Sequence, residues 1–207
     1  MNYFYSSIIA LIFSGCHSYY KNLRPTTADP QCINAIRPQG LTTSWFNASI
    51  DVVGKHISGL LLIKKMENET TRIVFTNEMG IAFFDFEFSY DGNFTVKKII
   101  HQLDKKPVIE ILRKDFFLLL AFPFQEKLRA WQNGNELYLG VVKGSEKWYF
   151  TTTHDCSSLA TLELGSDRKQ KVRIILEGDS KSPQNILITH LTFQMTIKLK
   201  KISKDAD

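Results

Sequence analysis

The stretch Phe84-Asp85-Phe86-Glu87-Phe88 alternates strictly between aromatic and acidic residues. Successive side chains of a β-strand point to opposite faces, so this pattern predicts a strand that buries three phenylalanines and leaves two carboxylates in water. Sheets that are apolar on one face only are typically antiparallel. The stretch therefore predicts an antiparallel sheet with one covered face.

Similar segments occur on both sides of this stretch. Asp91-Gly92-Asn93 predicts a hairpin turn directly after it. The final segment, residues 186–202, is predicted as one long strand with Phe193, Met195 and Ile197 on its apolar side. Further strands are predicted at residues 60–63, 72–75, 94–100, 137–142, 147–152, 159–164 and 172–176.

One long helix is predicted at residues 104–120, with Asp104 as its N-cap and Pro107 in its first turn. Residues 125–132 are predicted as a short helical or irregular piece. The fold class is therefore α+β: a curved antiparallel half-barrel sheet with one or two helices covering its concave face. The inward side chains either fill a packed core or line an apolar cavity, and the cavity residues would be Phe84, Phe86, Phe88, Phe193, Met195 and Ile197.

The N-terminus contains an apolar segment, residues 8–13, that is too short to span a bilayer as a helix. It precedes Ser14-Gly15-Cys16, and the whole resembles a bacterial lipoprotein signal. The resemblance implies cleavage before Cys16 and acylation of its thiol. An ordinary cleaved signal peptide, or an apolar strand with a chance cysteine, is the alternative. The predicted organisation is a signal at 1–15, a lipidated tether at 16–40 and one domain at 41–207.

Composition limits the partners and the chemistry. The net charge of +5 is spread along the chain, so no nucleic-acid partner is predicted. If Cys16 is acylated, Cys32 and Cys156 remain, either as a disulfide or as two free thiols. The five histidines lack metal-ligand spacing, and His154-Asp155-Cys156 reads better as a turn than as a nucleophile site. We therefore predict no enzyme, no metal site and no cofactor, with His190 as a hydrogen-bonded structural histidine.

Several segments follow one another in a recognisable order: residues 59–63 and 72–75, the turn Thr76-Asn77-Glu78-Met79-Gly80, the helix after Pro107, and residues 183–188 with the last strand. This order of elements resembles the LolA/LolB family of bacterial lipoprotein-sorting proteins, in its LolB-like branch. The resemblance implies an unclosed β-barrel lidded by helices, with an apolar cavity for acyl chains. It also implies a protruding apolar loop residue, here Met79, although Glu78 stands where the receptor branch has Pro.

Together these features predict a bacterial outer-membrane lipoprotein that faces the periplasm and is held by its lipid anchor. His17 after the cysteine favours the outer membrane in this resemblance. Its partners would be the acyl chain of a lipid or lipoprotein and a periplasmic carrier protein. The alternative is a scaffolding lipoprotein of the envelope with a packed core and a protein partner.

Overall fold

The computed structural model describes residues 19–37, 41, 43–153, 155–156, 158–179 and 182–202. Cys16 lies outside these residues, and its acylation stays a prediction. The described chain forms two α-helices, a 3-10 turn at Phe122–Gln125 and thirteen strands. The helices are α1 (Pro30–Ile36) and α2 (Lys106–Leu119). The strands are β1 (Arg24–Thr26), β2 (Ser44–Val52), β3 (Lys55–Lys65), β4 (Thr71–Thr76), β5 (Ala82–Phe88), β6 (Phe94–Ile99), β7 (Arg129–Asn133), β8 (Glu136–Lys143), β9 (Glu146–Thr153), β10 (Leu159–Gly165), β11 (Gln170–Glu177), β12 (Asn185–His190) and β13 (Met195–Lys201).

All thirteen strands belong to one antiparallel sheet with the order β1-β7-β8-β9-β10-β11-β12-β13-β2-β3-β4-β5-β6. Its two edge strands, β1 and β6, do not pair with each other, so the curved sheet stays unclosed. Helix α2 packs on the concave face, where Leu112, Phe116 and Leu119 are buried. The predicted fold class is confirmed.

Three local predictions were wrong. Residues 186–202 form two strands rather than one, because the chain turns back at residues 191–194. Residues 129–133 form β7 rather than a helical piece, since pairing with β1 and β8 supplies the hydrogen bonds that local propensity does not reveal. The N-cap of α2 is Lys105, because Asp104 belongs to the preceding turn, where its N–H donates to the Ile100 carbonyl at 3.0 Å.

The N-terminal segment is built into the fold. Strand β1 pairs with β7, and α1 begins after Asp29, whose side chain accepts a hydrogen bond from the N–H of Gln31 at 2.9 Å. A disulfide joins Cys32 of α1 to Cys156, with 5.6 Å between their Cα atoms. Because 124 positions separate the two cysteines, the bond closes a long loop and restricts the unfolded chain.

The convex face carries a second buried cluster, formed by Tyr20, Tyr138 and Tyr149. Tyr138 and Tyr149 alternate along β8 and β9 with Leu139 and Phe150, which belong to the concave core. Tyr20 comes from the N-terminal segment and packs edge-on against both tyrosine rings. At this cluster the sheet is therefore covered on its convex side as well.

Candidate functional site

An aromatic layer lies between helix α2 and strand β5. Phe84, Phe86 and Phe88 are fully buried on the concave face, as their alternation predicted. The Phe84 and Phe86 rings stack with centroids 4.4 Å apart, and the Phe116 ring of α2 lies 5.9 Å and 6.5 Å from them. Any ligand that enters here must displace α2 or its rings.

Of the other predicted lining residues, two lie in the interior and one lies in a turn at the end of two strands. Met195 and Ile197 are buried on β13, facing the concave core. Phe193 lies instead in the β12–β13 turn, half-buried, with its ring 4.6 Å from that of His190. The role of these six residues in ligand binding stays a prediction.

A cleft of about 200 Å³ opens along the seam between α2 and the sheet, and we call it the seam cleft. Ile111 and Asp115 line it from the helix, Val172 and His190 line it from the strands, and Phe193 lines it from the β12–β13 turn. Because Asp115, Val172 and His190 are buried residues, the cleft leads from the surface toward the interior. Its lining also includes the charged residues Glu110, Lys114, Glu146 and Lys171.

A buried polar pair joins α2 to the sheet at the seam cleft. His190 Nε2 and Asp115 Oδ2 are 2.9 Å apart, and neither side chain reaches bulk water. Asp115 Oδ1 is buried without a hydrogen-bond partner among the described residues. Burial raises the pKa of the Asp115 carboxyl, and the contact with His190 opposes that rise. The pair fixes α2 at one point and leaves one carboxylate oxygen unsatisfied, which weakens the attachment.

Asp115 was missed in the sequence, although a signal was present. The residues of α2 that face the core recur at positions 108, 111, 112, 116 and 119, and position 115 continues this spacing. A carboxylate in an otherwise apolar stripe needs a buried partner. His190 had been predicted as a hydrogen-bonded histidine, and its contact with Asp115 confirms this.

A second, larger cleft of about 610 Å³ lies on the convex face, across β3, β2, β13 and β12. Polar and charged residues, among them Asn47, Lys198 and Lys200, lie there beside Leu60 and Leu187. This cleft lies on the face opposite the aromatic layer, because these positions alternate with core residues along their strands.

Met79 projects from the β4–β5 turn with 81% of its surface exposed, beside the exposed residues Glu78 and Ile81. The turn is held by Asn77, whose carbonyl accepts the N–H of Gly80 at 3.0 Å and whose side chain accepts the N–H of Ile81 at 2.8 Å. Met79 is therefore an exposed apolar loop residue, and its contact with lipid stays a prediction.

Within the described residues, no group of three or more His, Cys, Asp or Glu side chains is placed to hold a metal ion. Among the same residues, no helix has the length and apolar character needed to cross a membrane.

The fold is similar to that of a LolA superfamily protein from Nitrosomonas europaea, with a TM-score of 0.51 and 9% identity. The match covers 88% of this chain and 96% of that chain. The chain has a LolA-like fold. A DUF1329 family protein from Desulfovibrio piger is more distant, with a TM-score of 0.44 and 8% identity over 84% of this chain and 88% of that one. No family model matches the sequence, and no curated protein matches it.

Proposed function

We propose that this protein is a lipid-anchored envelope protein of the LolB-like type, which holds the acyl chain of a lipid or lipoprotein between the concave face and α2. The observation that carries the proposal is the way in which α2 is attached to the sheet. Helix α2 closes an apolar face with apolar side chains, and its buried polar contact to the sheet, Asp115 with His190, is incompletely satisfied.

Apolar contacts are non-directional, so an acyl chain can replace the side chains of α2 against the sheet. Burying a methylene contributes about 0.8 kcal/mol, so a long chain gains enough gross free energy to offset the movement of one helix. The seam cleft, at about 200 Å³, is smaller than the ~300 Å³ at which ligand pockets begin. Binding therefore requires α2 to move away from β11 and β12.

The remaining parts of the proposal follow the resemblance to the receptor branch. Acylation of Cys16 would anchor the protein in the outer membrane, facing the periplasm. A periplasmic carrier would deliver the acylated cargo, and Met79 would contact the lipid during release. The protein would have no catalytic role and no cofactor.

A packed scaffold is the second candidate, and the close contacts among the rings of Phe84, Phe86 and Phe116 favour it. In that case the interior is already filled by side chains, and the function resides on the outer surface. The two candidates differ in one property, because only the carrier takes up an acyl chain.

Fatty-acid capture separates them. Delipidated protein is titrated with a fluorescent fatty acid, and saturable one-to-one binding at micromolar concentration is the expected result. In the Ile111→Trp variant the larger side chain fills the seam cleft, so capture should fall sharply. The matched control is Leu187→Trp, which places the same side chain in the convex cleft and should bind like the wild type.

Absence of capture by the wild type would leave the scaffold as the better account. Capture by Ile111→Trp that equals the wild type would mean that the fatty acid binds away from the seam cleft, and equal loss in both variants would mean that the loss is not specific to that cleft. Mass spectrometry of the membrane-extracted protein tests the anchor separately, since an acylated Cys16 adds the mass of its lipid.

A further inference from the structure

Several loops lie side by side at one end of neighbouring strands. We call them the basic rim: residues 53–55, 144–147, 166–171 and 191–194, with residues 19–21 packed against them. In an antiparallel sheet, alternate connections lie at the same end of the strands. Direct contacts join the loops: Val53 N–H to the Gln194 carbonyl at 3.0 Å, Leu191 N–H to the Lys171 carbonyl at 2.9 Å, and Lys147 Nζ to Asp167 Oδ1 at 3.0 Å.

The rim carries an excess of positive charge. The rim residues include six cations and two carboxylates, an excess of four positive charges. The net charge of the whole chain is +5. Both carboxylates are already paired, Glu146 with Lys114 and Asp167 with Lys147. Four of the cations are exposed and form no ion pair within the described part of the chain: Lys21, Lys55, Arg168 and Lys169.

Two apolar side chains project from the same loops. Val53 is 70% exposed in the β2–β3 turn, and Leu191 is 48% exposed in the β12–β13 turn. Aliphatic residues placed among unpaired cations are typical of surfaces that contact the membrane interface, where headgroups meet acyl chains.

The N-terminal segment enters the fold at this rim. The N–H of Tyr19 donates to the Arg168 carbonyl at 3.3 Å, and the Tyr19 hydroxyl accepts a hydrogen bond from Arg173 at 2.9 Å. Cys16 precedes Tyr19 by three residues, a reach of at most about 11 Å for an extended chain. If Cys16 is acylated, as the proposed function holds, the anchor keeps the rim next to the bilayer.

We propose that the basic rim is a membrane-docking surface that binds anionic phospholipid headgroups. Charge complementarity and the position of the N-terminus both select a lipid surface as the occupant. Lys171 and Phe193 belong to the basic rim and also line the seam cleft. Docking therefore turns the seam beside α2 toward the lipid, where an acyl chain enters or leaves.

The test measures partitioning of the full-length Cys16→Ser chain onto vesicles with and without phosphatidylglycerol. Residues 1–16 contain no charged side chain, so the only charge that the leader adds is its α-amino group, which is the same in every variant compared. Each cation near such a surface contributes about fivefold. The variant Arg168→Gln with Lys169→Gln should reduce the phosphatidylglycerol preference by about 25-fold, and high salt should abolish the preference.

The matched control is Lys64→Gln with Lys65→Gln, two exposed lysines at the opposite end of β3 that remove the same charge. It should retain the wild-type preference, and circular dichroism should show both variants folded. Equal loss in both pairs would indicate net charge alone and would overturn the proposal, as would no loss in either. Binding to a short DNA duplex as tight as to the vesicles would overturn it as well, since the rim would then be a general polyanion surface.

The vesicle experiment tests the basic rim independently of the proposed function. The rim experiment uses a chain that cannot be acylated and needs no ligand in the interior. Fatty-acid capture uses no vesicles. A failure of one therefore leaves the result of the other interpretable.

Discussion

The two faces of the sheet bury aromatic residues in different ways. Under α2, Phe84, Phe86 and Phe116 contact other apolar side chains. On the convex face, Tyr20 and its neighbours surround a buried carboxylate, Glu163. The first arrangement has no directional partner, so another apolar group can replace a ring. The second depends on hydrogen bonds that an acyl chain cannot supply.

The convex cluster is fixed by its polar contacts. Tyr20 donates its hydroxyl proton to Glu163 Oε2 at 3.2 Å, and Thr161 donates to Glu163 Oε1 at 3.1 Å. Burial raises the pKa of Glu163, and it raises the pKa of Tyr149 to about 12. The cluster therefore holds the N-terminal segment in place, whereas the face under α2 is the one suited to exchange.

The largest expected effect is on the concave face. Phe116→Ala removes a fully buried ring and should lower the free energy of unfolding by about 4 kcal/mol, measured by denaturant titration. Phe117→Ala is the control, because Phe117 is only half-buried on the same helix, and its loss should be smaller. If the interior exchanges side chains for lipid, fatty acid should restore part of the stability of Phe116→Ala. No recovery would favour the packed scaffold.

A smaller effect is expected on the convex face. Tyr20→Phe leaves the buried Glu163 with one donor fewer and should cost about 1–3 kcal/mol in the same titration. Tyr138→Phe is the matched control, since its hydroxyl donates to the exposed Glu136 at 3.0 Å, and water can replace that bond. Neither variant should change fatty-acid capture. Equal losses of stability in Tyr20→Phe and Tyr138→Phe would show that Glu163 does not fix the N-terminal segment.

The smallest expected effect concerns the pair of Asp115 and His190, which joins α2 to the sheet. Burial raises the pKa of Asp115 in the folded state, so the native protein binds its proton more tightly than the unfolded chain. The stability that this residue contributes is present below its ordinary pKa of 3.8 and falls as pH rises through the raised value. Asp115→Asn should therefore gain stability relative to the wild type as pH increases above 3.8. A difference that stays constant with pH would contradict this.

Much of the fold could be predicted because apolar and polar residues alternate along its strands. The alternation of β5 places three phenylalanines inward without knowledge of any partner strand. The same rule failed at residues 191–194, where Leu191 and Phe193 continue the alternation through a turn. Strand β7 pairs with β8, which follows it directly, and with β1, which lies about a hundred residues away in the sequence; local propensity reveals neither pairing.

The candidate site could be predicted only in part. Five of the six proposed lining residues face the interior, but whether they enclose a ligand depends on how tightly α2 packs, which no pattern reports. The link between Asp115 and His190 joins residues 75 positions apart. The basic rim was also out of reach, because its cations come from separate loops and appeared scattered along the chain.

Hydrogen exchange with and without bound fatty acid tests the central claim, that α2 moves to admit an acyl chain, most directly. The account predicts faster exchange of the amides of α2, Lys106–Leu119, on binding, while the amides of β9 and β10 under the tyrosine cluster stay unchanged. Fatty acid bound with α2 as protected as before would contradict it.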